Sequence, residues 1–533
     1  MRPPSPFGVR RVAADTGAEP RVARALVSVQ DKTGLEPFAL GLRALGVELW
    51  ATSGSRRALE AAGCSAQSVE ELTGVDAWFG GRVKTLHPAV FGGILAPPTP
   101  EGRTELAGRG LRSFDLVATN FYPFEQHLAE HPAATDREEF IDIGGVSLAR
   151  AAAKNHAAVA VVTDPAQYPP LLAELRERDG RLSAATRLRL AVEAFARCAR
   201  YDAAIAAALG PASGAPEGFP RELRFRADGL ALRYGENPHQ RAQAYVFAGP
   251  SPLEQPALPF EVLQGDSPSY TNLLDLETAV GVVEEFPGPT AAVVKHATPC
   301  GAATAGTVHD ALAGAIATDP VARYGCAVAV NRPLEVGDVT ALQGVFVDLL
   351  IAPGFTAEAR TALTRRKKLK LVQAPVAHPG HRRWEARTAL GRLLVQEADL
   401  RPLATTGLTL KAGPPARPEE LASLVFAWSV VRHARSNAIV LADGGTTVGI
   451  GSGQPTRVKA VELACEVAGP RARGAVLASD AFFPFADGVE AAARAGVRAI
   501  VQPGGSLRDA EVLAVAERAG MAVYFTGWRV FRH

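Results

Sequence analysis

The strongest chemical pair in the chain is Lys295-His296, which follows the apolar run 291–294 and precedes Ala297-Thr298-Pro299-Cys300-Gly301. Histidine titrates near neutrality and lysine is a compact charge, so the pair offers a base beside a cation. The proline and glycine would hold it rigidly, although a strand-end loop with an exposed lysine has the same residues. A second set lies nearer the N-terminus. Ser28 and Lys32 sit in SVQDKTG, Ser53, Gly54 and Ser55 follow Thr52, and Arg82, Lys84 and Thr85 sit in GGRVKTLHP. The first follows a strand-like run, the second joins a strand to a helix, where free N–H groups and the helix dipole favour an anion, and the third is a Gly-opened loop that brings an Arg, a Lys and a Thr. Any one of them is equally a solvated loop or a cap. Three at the strand ends of one sheet point to a phosphorylated small molecule. Tyr122 in NFYPF, Asp142 in IDIGG and Lys154 one helix later add a phenol, an acid and a cation. Singly they also suit a core aromatic, a helix cap and a solvated lysine.

The C-terminal half carries further candidate segments. LRYGENPHQ with Arg233 and Tyr234 suits a ligand loop or a structural turn, Asn272 in YTNLLD begins a predicted helix and equally suits its cap, and VDLLIAPGF holds Asp348 and RHARSNAIVL holds Asn437. GIGSGQPTR ends in Arg457, SDAFFPFAD holds Phe482, Phe485 and Asp487, and the C-terminal stretch holds Arg529. The Gly-rich run is neither a P-loop nor a dinucleotide fingerprint. The rings of SDAFFPF suit a core or a stack on a flat heterocycle.

The elements that must position these residues alternate strand and helix. Strands are predicted at 24–29, 47–50, 116–119 and 159–163, with helices at 34–45, 56–62 and 146–153. That is the grammar of an α/β domain with a mainly parallel sheet. Gly and Pro in 210–220 mark a boundary. Beyond it, strand-like runs recur at 291–294, 327–330, 349–352, 438–441, 448–451, 475–478 and 499–502. These about 300 residues are enough for two lobes, with a division near 375–413. Residues 1–23, rich in Pro, Arg and Ala, are expected as a disordered extension.

Composition narrows the class without naming an activity. Of 533 residues 47% are hydrophobic and 21% charged, and the net charge is +2. There is no global electrostatic case for nucleic acid or an anionic membrane. The basic run 365–370 is expected as a solvated helix end. Five scattered cysteines suit reduced thiols in a cytoplasmic enzyme. There is no Cys-x-x-Cys and no His-x-Glu, so no catalytic metal is expected.

SVQDKTG, GGRVKTLHP, NFYPF and IDIGGVSLARAAAKNH, followed by the C-terminal segments in order, resemble the bifunctional AICAR transformylase/IMP cyclohydrolase family. The resemblance runs from about Arg24 to His533. It implies a Rossmann-like, methylglyoxal-synthase-like N-terminal domain (24–209), a linker (210–228) and a transformylase domain (229–533) of two cytidine-deaminase-like lobes. It implies formyl transfer from 10-formyltetrahydrofolate to AICAR, then dehydrative ring closure to IMP, in a homodimer with transferase sites at the subunit interface. By resemblance, Ser28, Lys32, Ser53, Gly54, Ser55, Arg82 and Thr85 bind nucleotide, and Lys84, Tyr122, Asp142 and Lys154 serve ring closure. Arg233, Tyr234, Asn272, Asp348, Asn437, Phe482 and Arg529 would contact AICAR, and Arg457, Phe485 and Asp487 the folate. His296 would take the amine proton, with Lys295 assisting the oxyanion or the leaving folate nitrogen. Gln30, Thr52–Ser55, Thr298, Tyr324-Gly325-Cys326 and Val530 depart from the family's usual residues. The competing readings are a chain keeping one half-reaction and an N-terminal domain that only senses nucleotide. A sensor needs the phosphate loops but not the set Lys84, Tyr122, Asp142 and Lys154.

Overall fold

The computed structural model describes residues 19–131, 137–209, 223–247, 259–376 and 384–533. They group into two compact units, one ending at Arg224 and the other comprising Phe225–Phe247 and the described residues from 259 to His533.

In the first unit, β1 (Arg24–Ser28), β2 (Glu48–Ala51), β3 (Gln67–Ser68), β4 (Leu116–Thr119) and β5 (Ala160–Val162) form one sheet in the order β3-β2-β1-β4-β5. Every pairing is parallel. β4 and β5 are buried along their whole length, which is why they read as continuous apolar runs instead of alternating. The helix Gly144–Lys154 packs Leu148, Ala149 and Ala151–Ala153 into the same core. The strand order reverses between β1 and β4. A crevice therefore opens beyond the carboxyl ends of these strands, where Ser28 ends β1, Thr52 follows β2 and Asn120 follows β4.

Of the expected extension 1–23, residues 1–18 lie outside the described residues. Residues 19–23 are seated on the first unit, with Val22 buried and its N–H donating to Gly180 O at 2.8 Å. Of the expected linker 210–228, residues 210–222 lie outside the described residues, and 225–227 form a strand.

The second unit begins with a ribbon of β6 (Phe225–Ala227) and β7 (Tyr245–Phe247). Its main sheet draws first on β8 (Glu261–Gln264), β9 (Thr290–Lys295), β10 (Thr298–Thr304), β11 (Cys326–Val330), β12 (Val347–Ala352) and β13 (Lys370–Gln373). After a separate hairpin of β14 (Trp384–Ala389) and β15 (Arg392–Glu397) come β16 (Thr409–Ala412), β17 (Ile439–Asp443), β18 (Thr446–Gly451), β19 (Val476–Ser479), β20 (Ala499–Gln502) and β21 (Ala522–Phe525). The order is β16-β21-β20-β19-β17-β18-β10-β9-β11-β12-β13-β8. One sheet thus spans both sides of the expected division near 375–413, of which 377–383 lie outside the described residues. The two six-strand halves meet where Thr447 Oγ1 accepts the Ala302 N–H at 2.8 Å and donates to Ala302 O at 3.0 Å.

Register decides which loops share an end of this sheet. Lys295 pairs Thr298, Cys326 pairs Val347, Leu349 pairs Lys370, Ile439 pairs both Gly451 and Ser479, and Gln502 pairs Phe525. The His296 turn, Tyr324, Asp348 and Lys370 therefore lie at the same end as Asn437, Asp480 and Thr526. The first two glycines of GIGSG, Gly449 and Gly451, serve this packing. A Cβ on Gly449 or Gly451 would meet the carbonyl oxygen of Ala464 at 2.1 Å or of Ala460 at 2.0 Å. The helix Arg457–Ala468 lies directly on β18, and Arg457 opens it beside the sheet end.

Two sequence expectations change here. Thr298-Pro299-Cys300-Gly301 is not a loop but the start of β10, and the turn before it is only two residues long. The basic run 365–370 is not wholly a solvated helix end. Lys370 is buried at the start of β13, and the Arg366 guanidinium donates to Leu342 O and Val345 O at 2.6 and 2.9 Å.

Candidate functional site

The first site is built on the crevice between β1 and β4. Asn120, just past β4, ties down SVQDKTG: its Oδ1 accepts the N–H groups of Gln30 and Asp31, and its Nδ2 donates to Asp31 O at 2.8 Å. Ser55 closes the loop from the other side. It is buried, accepts the Val29 N–H at 3.0 Å and donates to Val29 O at 3.2 Å. Its hydroxyl is thus held by backbone, and the open anion-binding groups are the first N–H groups of the helix Ser53–Ala61, whose N-cap Thr52 makes no side-chain cap. A Cβ on Gly54 would meet nothing within 4 Å. Ser53 donates to Glu70 at 2.9 Å, and Arg82 is paired with Glu139. Two expected phosphate contacts thus face carboxylates in this structure.

The loop carrying Arg82 and Lys84 turns back on itself through Gly80 (φ 66) and Gly81 (φ 102), a left-handed path that suits glycine. Lys84 is half-buried and has no hydrogen-bond or ion-pair partner among the described residues. Burial holds the Lys32 ammonium below its ordinary value, opposed by Asp31 and reinforced by the Lys84 charge. Burial pushes the Asp142 carboxyl up, while the N–H groups of Gly145 and Tyr122 and the same Lys84 charge pull it back. The Lys84 charge thus disfavours the Lys32 ammonium and favours the Asp142 carboxylate. Asp142 accepts from Gly145 N at 2.7 Å and Tyr122 N at 3.3 Å, and its own N–H donates to the Tyr201 hydroxyl at 2.8 Å. It both caps the helix Gly144–Lys154 and belongs to the acid-cation group. The Thr85 hydroxyl lies at the start of that helix, 3.0 Å from where a Gly144 Cβ would be. Lys154 is exposed in its last turn. Ten residues at 1.5 Å each put it roughly 15 Å along the axis from Gly144. The fold gathers Lys32, Lys84, Tyr122 and Asp142 but leaves Lys154 at the far end.

In the second unit, Lys295 ends β9 and donates from Nζ to Tyr324 O at 2.9 Å. His296 (φ 55) and Ala297 (φ 54) form the two-residue turn, both in the left-handed region that non-glycine residues avoid. The imidazole is exposed at the tip. Strain of this kind persists only where neighbours enforce it, and it clusters at functional sites. Beside the turn runs the helix Tyr270–Glu284. Asn272 serves twice: its Oδ1 accepts the Ser269 N–H at 3.1 Å, closing a capping box, and its Nδ2 donates to Asp348 at 3.1 Å. The other Asp348 oxygen accepts from Lys370 at 2.9 Å. Arg233 reaches Asp266 at 3.1 Å and the Tyr234 hydroxyl at 2.7 Å, and the Tyr270 N–H donates to Tyr234 O.

The other half of the sheet holds a second cluster. The Arg457 guanidinium donates to Asn437 Oδ1, to Ser479 Oγ at 2.9 Å and to Asp480. Arg457 is 6% exposed and Asp480 0%, so in this structure Arg457 is a buried clamp and presents no open surface to a folate. Asn437 also donates to Gln454 O at 2.8 Å. Phe482 and Phe485 are exposed, with the Arg508 guanidinium 4.9 Å over the Phe485 ring, while Phe483 is fully buried. Asp487 opens a helix and, among the described residues, accepts only its neighbour's N–H. Arg529 is exposed over Phe531, and Val530 is buried with its N–H on Asp480 O.

Sequence inspection missed Asn120, Asp275, Lys370 and Asp480. Asn120, Lys370 and Asp480 work through contacts with residues distant in sequence, which their local motifs do not show. Asp275 was visible in YTNLLD, three residues past Asn272 on the same helical face. Among the described residues no group of three or more His, Cys, Asp or Glu could hold a metal, and no helix is long and apolar enough to cross a membrane.

Comparison with known proteins matches residues 152–467 to the family described as the AICARFT/IMPCHase bienzyme and residues 34–147 to the MGS-like domain. The chain is 44% identical over 522 residues to the bifunctional purine biosynthesis protein PurH of Desulfitobacterium hafniense (strain DSM 10664 / DCB-2), covering 96% of this chain and 99% of that one. It is 46% identical over 524 residues to PurH of Chloroflexus aurantiacus (97% and 99% covered). It is 45% identical over 524 residues to PurH of Anaeromyxobacter dehalogenans (strain 2CP-1 / ATCC BAA-258; 96% and 99% covered).

Proposed function

The chain belongs to the AICARFT/IMPCHase bienzyme family, and from that premise we propose how its two activities are divided among its residues. It is a bifunctional enzyme of purine biosynthesis, an AICAR formyltransferase and an IMP cyclohydrolase. Ring closure belongs to the crevice of the first unit. The nucleotide phosphate sits on SVQDKTG (Ser28, Lys32), the helix start at Ser53-Gly54-Ser55, and Arg82 and Thr85. The carboxamide nitrogen of formyl-AICAR attacks the formyl carbon and water leaves, so holding the two groups together supplies much of the rate. Lys84 stabilises the charge developing on the formyl oxygen. Asp142, its carboxyl held up by burial, and Tyr122 move and orient protons. The observation that supports this reading is that the Lys84 loop meets the start of the helix that Asp142 caps: Thr85 Oγ1 lies 3.0 Å from the Gly144 Cβ position, and Asp142 accepts the N–H groups of Gly145 and Tyr122 at 2.7 and 3.3 Å. Lys154 would join only as an exposed charge, which makes it the weakest member of the set.

Formyl transfer belongs to the second unit, with 10-formyltetrahydrofolate as co-substrate. His296 removes the proton of the AICAR amine as it attacks the formyl carbon, and Lys295 assists the oxyanion or the leaving folate nitrogen. Arg233, Tyr234, Asn272 and Asp348 form one AICAR-facing group, and Asn437, Phe482 and Arg529 another. Phe485 and Asp487 face the folate, and Arg457 holds the loop behind them. The two six-strand halves are taken as the cytidine-deaminase-like lobes.

The two AICAR groups are far apart in one chain. Asp348 on β12 and Asn437 before β17 are five strand spacings apart, roughly 24 Å at about 4.8 Å per strand. That exceeds the span of one nucleotide. It supports a homodimer in which each transferase site joins the His296 side of one copy to the Asn437 side of the other. Mixing unfolded His296→Ala and Asn437→Ala chains and refolding them together tests this. Random pairing in a two-fold dimer restores about a quarter of wild-type formyl transfer. Recovery no greater than the sum of the two variants alone rejects the shared site.

A further inference from the structure

We propose that Asp275 is a positioning residue for formyl transfer: its carboxylate clamps the peptide of Ala297 and so aims the His296 side chain. The proposal rests on reading His296 as the base and adds what holds it.

His296 and Ala297 both stand in the left-handed region, and Ala297 has neither the freedom of glycine nor the polar side chain of the Asn, Asp and His residues enriched there. A two-residue turn of such residues needs support from outside itself. The support comes from one face of the helix Tyr270–Glu284. Asp275 Oδ1 accepts the Ala297 N–H at 2.6 Å, and one turn later Thr278 Oγ1 lies 3.4 Å from Ala297 O. Both polar groups of the strained residue are thus met by positions i and i+3 of one helix. Three residues earlier on that face, Asn272 holds Asp348. One rigid element therefore sets the turn that carries His296 and the carboxylate expected to contact AICAR.

The charges around the turn come from several elements: Asp275 on the helix, Lys295 on β9, Asp348 on β12 and Lys370 on β13. Burial and Asp348 push the Asp275 carboxyl up, while the Ala297 N–H and His296 pull it back. Asp275 is half-buried against this cluster. What it does that an apolar residue cannot is accept the Ala297 N–H.

Shape and charge are separated by two conservative variants. Asp275→Asn keeps an oxygen at the same reach and loses the charge, whereas Asp275→Glu keeps the charge and moves the oxygens by one methylene. Formyl transfer by Asp275→Asn should stay within about 3-fold of wild type. Asp275→Glu and Asp275→Ala should each lose about 10- to 100-fold in kcat, the scale of a misplacement near 1 Å, with KM for AICAR little changed. Adding Ala297→Gly to Asp275→Ala should recover about 10-fold, because glycine takes the left-handed turn without a clamp. A wild-type kcat in Asp275→Ala, an Asp275→Glu faster than Asp275→Asn, or no recovery with Ala297→Gly each overturns the proposal. Ring closure on supplied formyl-AICAR and the melting profile confirm folding. His296→Ala run alongside keeps the two ideas apart. If that variant transfers formyl normally, the reading of His296 fails. If it is slow while Asp275→Ala is fast, only the clamp fails.

Discussion

Replacing Arg457 by Met should unfold the second unit early before it does anything to folate affinity. Arg457 is 6% exposed and Asp480 0%, and the second oxygen of Asp480 is buried without a hydrogen-bond partner among the described residues. The guanidinium is therefore the main compensation for a carboxylate fully out of water. Removing one partner of a buried pair costs about 3–5 kcal/mol, because the remaining charge stays buried. At about 2 °C per kcal/mol for a unit this large, the melting transition should fall by roughly 6–10 °C. Arg457 also holds Asn437, so kcat for formyl transfer should fall at temperatures where the protein is still folded. Adding Asp480→Asn removes the stranded charge and should restore most of the lost stability. The measurement is differential scanning calorimetry of wild type, single and double variants, with formyl transfer assayed well below the transition. If Arg457→Met melts like wild type and only raises KM for the folate, the clamp argument is wrong and Arg457 is a direct folate contact.

Lys84→Ala should cripple ring closure of supplied formyl-AICAR while formyl transfer stays within about 2-fold, since the interaction removed is made only at the closing site. Equal loss of both activities would point to global damage. Asp142 should make stability pH-dependent. Burial raises its folded value above the unfolded value of about 3.9, so the native state holds the proton more tightly and ionisation costs native stability. That cost is absent below the unfolded value and complete above the folded one. The stability of Asp142→Asn relative to wild type should therefore climb as pH rises from about 4 and then level off. A difference flat with pH, measured by urea unfolding, rejects the burial argument.

Periodicity and punctuation alone determined four of the five strands of the first unit's parallel sheet. Those four are short apolar runs, a local signal, whereas β3 is the polar pair Gln67-Ser68 and gives none. The family motifs carried the two chemistries for the same reason: each is a contiguous string of loop residues at a strand end. Three kinds of fact were beyond that reach. β10 was hidden because its turn uses His296 and Ala297 where a hairpin would normally announce itself with glycine or asparagine. The separation of Lys154 from Asp142 depends on helix length and direction, which spacing in sequence does not convey. The roles of Arg457 and Lys370 depended on burial. A guanidinium or ammonium in a basic or Gly-rich string reads as exposed, and only the packing of the helix Arg457–Ala468 on β18, or of β13 beside β12, takes it out of water and pairs it. Long-range pairing is a property of register and burial, so tertiary structure decided which charged residues remain open to a ligand and which hold the frame that presents it.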